Sequence, residues 1–166
     1  MELVELMIVF EDEYLLVIDK PAGMVVNRAE SVKGETVQEW VERKFQIPNS
    51  KFQLEFGTLG FEFNRRSGIV HRLDKETSGL LLIAKTPEAF ADLQRQFKER
   101  RVRKKYIALV HGTVKEDRGV IKAEVGRLPW NRERFGVMEE GREAETEFKV
   151  IKRLSNEVTE KEKRKY

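Results

Sequence analysis

Two rhythms run along this chain. Apolar residues recur at every second position in some stretches and at three-to-four-residue steps in others, which predicts strands and helices respectively. Met7–Phe10 and Tyr14–Ile18 are apolar runs separated by Glu11-Asp12-Glu13, and they predict a β-hairpin. Pro21-Ala22-Gly23 predicts a turn, because proline sets one φ angle and glycine permits a positive one. Val25-Val26 predicts a brief strand, and Asn27–Gly34 a polar loop. Thr36-Val37-Gln38-Glu39 has the form of a capping box, and Val37, Trp40, Val41 and Phe45 follow at helical spacing. A helix with one buried face is expected there, with Trp40 in the core rather than free for stacking. Pro48–Ser67 mixes Phe52, Phe56, Phe61 and Phe63 with glycines and charges, and predicts a long loop or short hairpin.

Leu80–Ala84, bounded by Gly79 and Thr86-Pro87, predicts a buried strand. Thr86-Pro87-Glu88 is a helix start, with Phe90, Leu93 and Phe97 as the buried stripe. Tyr106–Val110 predicts a strand with Tyr106, Ala108 and Val110 on one side. Val120–Val125 alternates in the same way after Gly119. Gly126–Arg134 predicts a loop carrying Trp130, and Phe135–Met138 with Arg142–Val150 a second hairpin turning near Glu139-Glu140-Gly141. Glu157–Tyr166 has almost no apolar content and predicts a frayed tail. The sum is an α+β domain over residues 1–154, a mainly antiparallel mixed sheet with two packed helices, followed by a charged tail over 155–166.

Composition narrows the function classes. The chain has 166 residues, 40% hydrophobic and 37% charged, a formal net charge of +3 and a pI near 9.1. That balance permits nucleic-acid binding without demanding it. There is no cysteine, hence no disulfide and no thiolate metal site. Met1–Glu5 is short and acidic, and no apolar run approaches membrane-spanning length, so a cytoplasmic protein with no membrane partner is expected.

The polar run His71–Gly79 carries the candidate chemistry. Arg72, Asp74, Lys75 and Glu76 crowd a short stretch just before the apolar strand. Unpaired charges are excluded from a core, so this run is a loop at a sheet edge. Neighbouring cations favour the ionised form of Asp74, ready to act as base or nucleophile. His71 fits a residue that hydrogen-bonds backbone and does nothing more. Arg95, Lys98, Arg100, Arg101, Arg103, Lys104 and Lys105 form the most basic stretch, either a solvated helix end or a phosphate-contacting strip. Asp19-Lys20 reads most simply as a surface pair at a strand end.

His71-Arg72-Leu73-Asp74, followed by Thr77-Ser78-Gly79 and an apolar strand, resembles the signature of the RluA-type pseudouridine synthases. Asp19-Lys20-Pro21-Ala22-Gly23 resembles the family's first motif, and Lys105–Gly112 its tyrosine motif. Gly141–Val150, with alternating Ala144, Thr146 and Phe148, resembles a later family strand. The segments come in family order from about Val9 to Leu154, and the order makes the resemblance specific.

The resemblance implies the pseudouridine-synthase fold, with the Asp19–Gly23 turn as a wall of the active-site cleft. It implies Asp74 as the catalytic aspartate, either attacking C1′ or removing a ribose proton; the sequence leaves both open. It implies Tyr106 as the stacking platform for the target uracil, and Arg72 as the residue that fills the vacated space or meets its phosphate. Arg103 and Lys105 are then RNA contacts. No metal and no cofactor are implied, and the partner is ribosomal or transfer RNA bound by a monomer. The family continues with a segment like Gly-Arg-x-His-Gln-Ile-Arg, which supplies a basic residue facing the aspartate. Here Asn156 is followed by EVTEKEKRKY. A second reading therefore stands beside the enzyme: an RNA-binding remnant with impaired or absent catalysis. A metal hydrolase is disfavoured by only two histidines, His71 and His111, with no close pair of ligands, and a glycoside hydrolase because Glu76, two residues from Asp74, gives same-side orientation without the required separation.

Overall fold

A computed structural model of the chain describes residues 4–30, 32–46 and 57–154. It falls into two compact units, Met1–Lys105 and Tyr106–Tyr166. The first part of the Pro48–Ser67 region, with Phe52 and Phe56, and the tail Glu157–Tyr166 lie outside the described residues.

The first unit holds a three-stranded sheet of β1 (Met7–Glu11), β2 (Leu15–Lys20) and β3 (Gly79–Ala84), in the order β1-β2-β3. Both pairings are antiparallel. The first hairpin is as expected. Its turn is fixed by Asp12, whose side chain accepts from the N–H groups of Tyr14 at 2.8 Å and Leu15 at 2.7 Å. Alternation then decides the faces. Leu16 and Ile18 of β2 lie opposite Ile83 and Leu81 of β3, and all four are fully buried on one side.

That side is covered by α1 (Val37–Phe45), whose Val37, Trp40 and Val41 are buried. Its capping box is present in full: Glu39 N–H donates to the Thr36 hydroxyl at 3.2 Å, and Thr36 N–H donates to the Glu39 carboxylate at 2.8 Å. Val25-Val26 is not a strand. Its carbonyls accept from Val37 and Gln38, each at 3.0 Å, so these residues serve the first turn of α1 instead of a sheet. Ala84 and the half-buried Leu82 meet a second cluster on the opposite side of the sheet. There α3 (Pro87–Lys98) packs Phe90, Leu93 and Phe97, with Thr86 as N-cap and proline in the first turn.

Gly57–Arg65 is a helix, α2, where a loop or hairpin was expected. Two glycines depress helix propensity, but packing overrides it: Phe63 meets Phe90 edge-on at 5.9 Å.

The second unit is an antiparallel sheet of β4 (Arg118–Leu128), β5 (Asn131–Val137) and β6 (Arg142–Lys149), in the order β5-β4-β6. Here three expectations change. β4 runs on to Leu128 and turns at Pro129-Trp130, so most of the supposed Gly126–Arg134 loop is strand. β5 and β6 do not pair with each other; both pair with β4, which is long enough to accept a partner on each edge. Tyr106–Val110 forms no strand, because no described strand pairs with it. None of this unit's described residues is buried. The α+β class holds, and every described strand pair is antiparallel.

Candidate active site

The His71–Ser78 run is a loop in the first unit, held by the residues that interrupt its polarity. Val70 and Leu73 are buried, one in each core cluster, so the backbone is pinned on both sides of Arg72. Thr77 N–H donates to the Asp74 carbonyl at 3.1 Å, closing a turn over Lys75-Glu76. Arg72, Asp74, Lys75 and Glu76 are exposed on it. Among the described residues the Asp74 carboxylate has no hydrogen bond and no ion pair. The pairing with Arg72 or Lys75 that would make it structural is not formed.

Lys20 is the residue that sequence reasoning placed wrongly. It is fully buried, not a surface residue. It continues the inward alternation of Leu16 and Ile18, opposite Gly79, and that period was the signal that could have found it. Its ammonium donates to the carbonyls of Pro21 at 2.8 Å, Met24 at 2.9 Å and Lys75 at 3.1 Å. Gly23 N–H also donates to the Lys75 carbonyl, at 2.8 Å. The Pro21–Gly23 turn and the Asp74 loop are thereby one rigid piece. Burial pushes the Lys20 pKa down, while the carboxylates of Glu76 and Asp74 pull it back up.

His71 anchors the loop's other end. Its Nε2 accepts from the Leu82 N–H at 3.1 Å, and its ring stacks on Phe97 at 4.8 Å. Burial, and then the charge of Lys104, push its pKa down to about 4, against a backbone hydrogen bond at Arg72. It accepts a backbone hydrogen bond, as expected.

The basic stretch divides. Arg95 is tied to Asp92, and Arg101 pairs with Glu99 at 3.6 Å. Lys98, Arg100, Arg103 and Lys105 are exposed, without ion pairs among the described residues. The Gln96–Arg101 end of α3 is a Schellman turn: Arg101 N–H donates to the Gln96 carbonyl at 2.9 Å and Arg100 N–H to that of Phe97 at 3.2 Å. Tyr106 is the first residue of the second unit and is 59% exposed. Asp74, Arg72, Arg103 and Lys105 thus share the first unit, and Tyr106 belongs to the second.

The first unit is thus an antiparallel α+β scaffold whose stiffened loop bears an exposed carboxylate between two cations. The comparisons give that class its family. The family model described as RNA pseudouridylate synthase matches residues 14–165. The ribosomal large subunit pseudouridine synthase D of Nitrosomonas europaea is 39% identical over 155 residues, covering 93% of this chain and 41% of that protein. An uncharacterised RNA pseudouridine synthase of Aquifex aeolicus is 40% identical over 153 residues, covering 92% of this chain and 45% of that one. Among solved structures, human RNA pseudouridylate synthase domain containing 1 matches with a TM-score of 0.62 at 26% identity, over 89% of this chain and 54% of that one. The chain belongs to the RNA pseudouridylate synthase family, as an RluA-type member. It spans less than half the length of these curated relatives.

Proposed function

We propose that this chain carries the isomerising site of an RNA pseudouridine synthase, with Asp74 as the catalytic carboxylate and residues 1–154 as part of its catalytic domain. The observation that carries this is the exposed, unpaired Asp74 on a loop fixed by Lys20, Gly23 and His71. The uridine is flipped out of its RNA at a cost of a few kcal/mol. The N1–C1′ bond breaks, the base turns, and a C5–C1′ bond forms; the C5 proton leaves to water and N1 gains one. The step conserves electrons, so it calls for no redox cofactor. A carboxylate beside C1′ stabilises the oxocarbenium-like transition state, whether it attacks C1′ or removes a ribose proton.

Tyr106 stacks on the extruded uracil, for about 1–3 kcal/mol. Arg72 occupies the vacated position or meets its phosphate, and Arg103 and Lys105 contact the backbone. The substrate is ribosomal or transfer RNA, bound by a monomer. A second reading, RNA binding without turnover, is favoured by Tyr106 lying outside any strand. Incubation with RNA tritiated at uridine C5 separates the two. Release abolished in Asp74→Asn supports the enzyme, and binding without release supports the remnant. Release that persists in Asp74→Asn refutes the assignment of Asp74.

A further inference from the structure

Away from Asp74, the first unit has a concave surface of about 600 Å³. It lies between the Asn27–Glu30 segment, Gln38 of α1 and Arg65-Arg66 at the end of α2. Three guanidinium groups and one carboxylate, Glu30, line it. Two of the guanidiniums have counter-charges. Arg28 pairs with Glu39 at 3.4 Å and with Glu42, and Arg65 forks onto Glu62 at 3.1 and 2.7 Å. Arg66 has no hydrogen bond or ion pair from its guanidinium among the described residues. Glu62, a carboxylate whose field reaches it, is already held by Arg65.

The mount of Arg66 is rigid. Its N–H donates to the Glu62 carbonyl at 3.2 Å, and its carbonyl accepts from Ile69 N–H at 2.9 Å. Ser67, which is buried, follows at φ 51° and donates to Glu42 at 2.7 Å. Gln38 ties the two walls, donating to the Arg65 carbonyl at 3.1 Å and accepting the Arg28 N–H at 3.2 Å. An unpaired guanidinium on a fixed stretch of backbone suits a phosphate, whose oxygens match its planar fork.

The cleft is connected to the catalytic loop. The segment that begins at Gly23, bonded to Lys75, ends in the cleft wall at Glu30. Arg66 adjoins the Ala84 end of β3, where Gly68 accepts from Ala84 N–H, while the Asp74 loop adjoins the Gly79 end. A strand of that length spans roughly 17 Å. That separation corresponds to a few nucleotides of extended RNA. Resting on the function proposed above, we propose that this cleft is a second RNA subsite, in which Arg66 takes a backbone phosphate a few nucleotides from the uridine presented to Asp74.

The test is fluorescence anisotropy of this chain with a labelled uridine-containing RNA stem-loop, across a KCl series. Arg66→Gln should bind roughly tenfold more weakly, the loss of one charge-assisted hydrogen bond. The slope of log affinity against log salt should shallow by about 0.7, the release of one phosphate's counterions. Arg66→Lys should keep the wild-type slope. Arg66→Gln binding with wild-type affinity and slope overturns the subsite and leaves the proposed function standing. Equal weakening of both variants with no change of slope marks a structural role and also overturns it. Wild-type chain that binds no RNA overturns the subsite and the proposed function together.

Discussion

The Lys20 ammonium donates to the Lys75 carbonyl at 3.1 Å, joining residues 55 positions apart. A buried cation on three backbone carbonyls is costly to desolvate and costlier to remove, because the carbonyls then stay unpaired. Lys20→Met fills a similar volume without the donor. It should lose on the order of 3 kcal/mol in urea unfolding. Hydrogen exchange should accelerate at Thr77, whose N–H closes the Asp74 turn, more than in α3. Exchange that accelerates evenly through the first unit would show that Lys20 stabilises the fold without specifically holding the loop.

Gly68 sets the approach to that loop from the other side. It sits at φ 73°, and a Cβ there would lie 2.1 Å from the Ala84 carbonyl oxygen. Both the conformation and the contact require glycine, since neither backbone can give way. Gly68→Ala should cost at least about 2 kcal/mol and break the Gly68–Ala84 hydrogen bond. Thermal unfolding checks it; a midpoint unchanged from wild type would contradict the close approach.

The elements legible in the sequence were those whose local and tertiary signals agree. The capping box at Thr36–Glu39, the Thr86-Pro87 start of α3 and the β1-β2 hairpin are written in single side chains acting on nearby backbone. α2 was not legible, because Gly57 and Gly60 argue against the helix that Phe63 makes worthwhile by packing on Phe90. The β5-β4-β6 order was not legible either, since alternation gives a strand's face and says nothing about its neighbour. At the site, Asp74 stood out through its motif, whereas Lys20 was hidden by its charge. The same alternation that buried Ile18 placed it inward, and the prior that lysines are exposed outweighed that pattern.

Arg100 occupies the left-handed position of the Schellman turn, at φ 56°, where glycine is the usual residue. A side chain there costs about 1 kcal/mol. Arg100→Gly should relieve that strain, offset in part by the greater freedom glycine gives the unfolded chain, for a net gain of about 0.5 kcal/mol in urea unfolding, while weakening RNA binding through loss of a phosphate contact. Binding unchanged in a stabilised Arg100→Gly chain would remove this residue from the RNA contacts.

The depressed pKa of His71 fixes the sign of a pH effect. The unfolded imidazole titrates near 6.5, and the folded one at about 4. Between those values the unfolded chain binds the extra proton, so stability rises with pH across that window. The contribution of His71 is complete above pH 6.5 and is lost as pH falls toward 4. Protonation there would remove the acceptor that Leu82 N–H uses and place a charge beside Lys104. His71→Phe keeps a ring against Phe97 but has no acceptor and no titration. The stability difference between wild type and His71→Phe should thus be constant above pH 6.5 and shrink on acidification. The imidazole resonance of His71, followed by NMR, should not titrate above pH 5. A stability difference that stays level from pH 7 to pH 4 would show that this histidine is not held neutral by its surroundings.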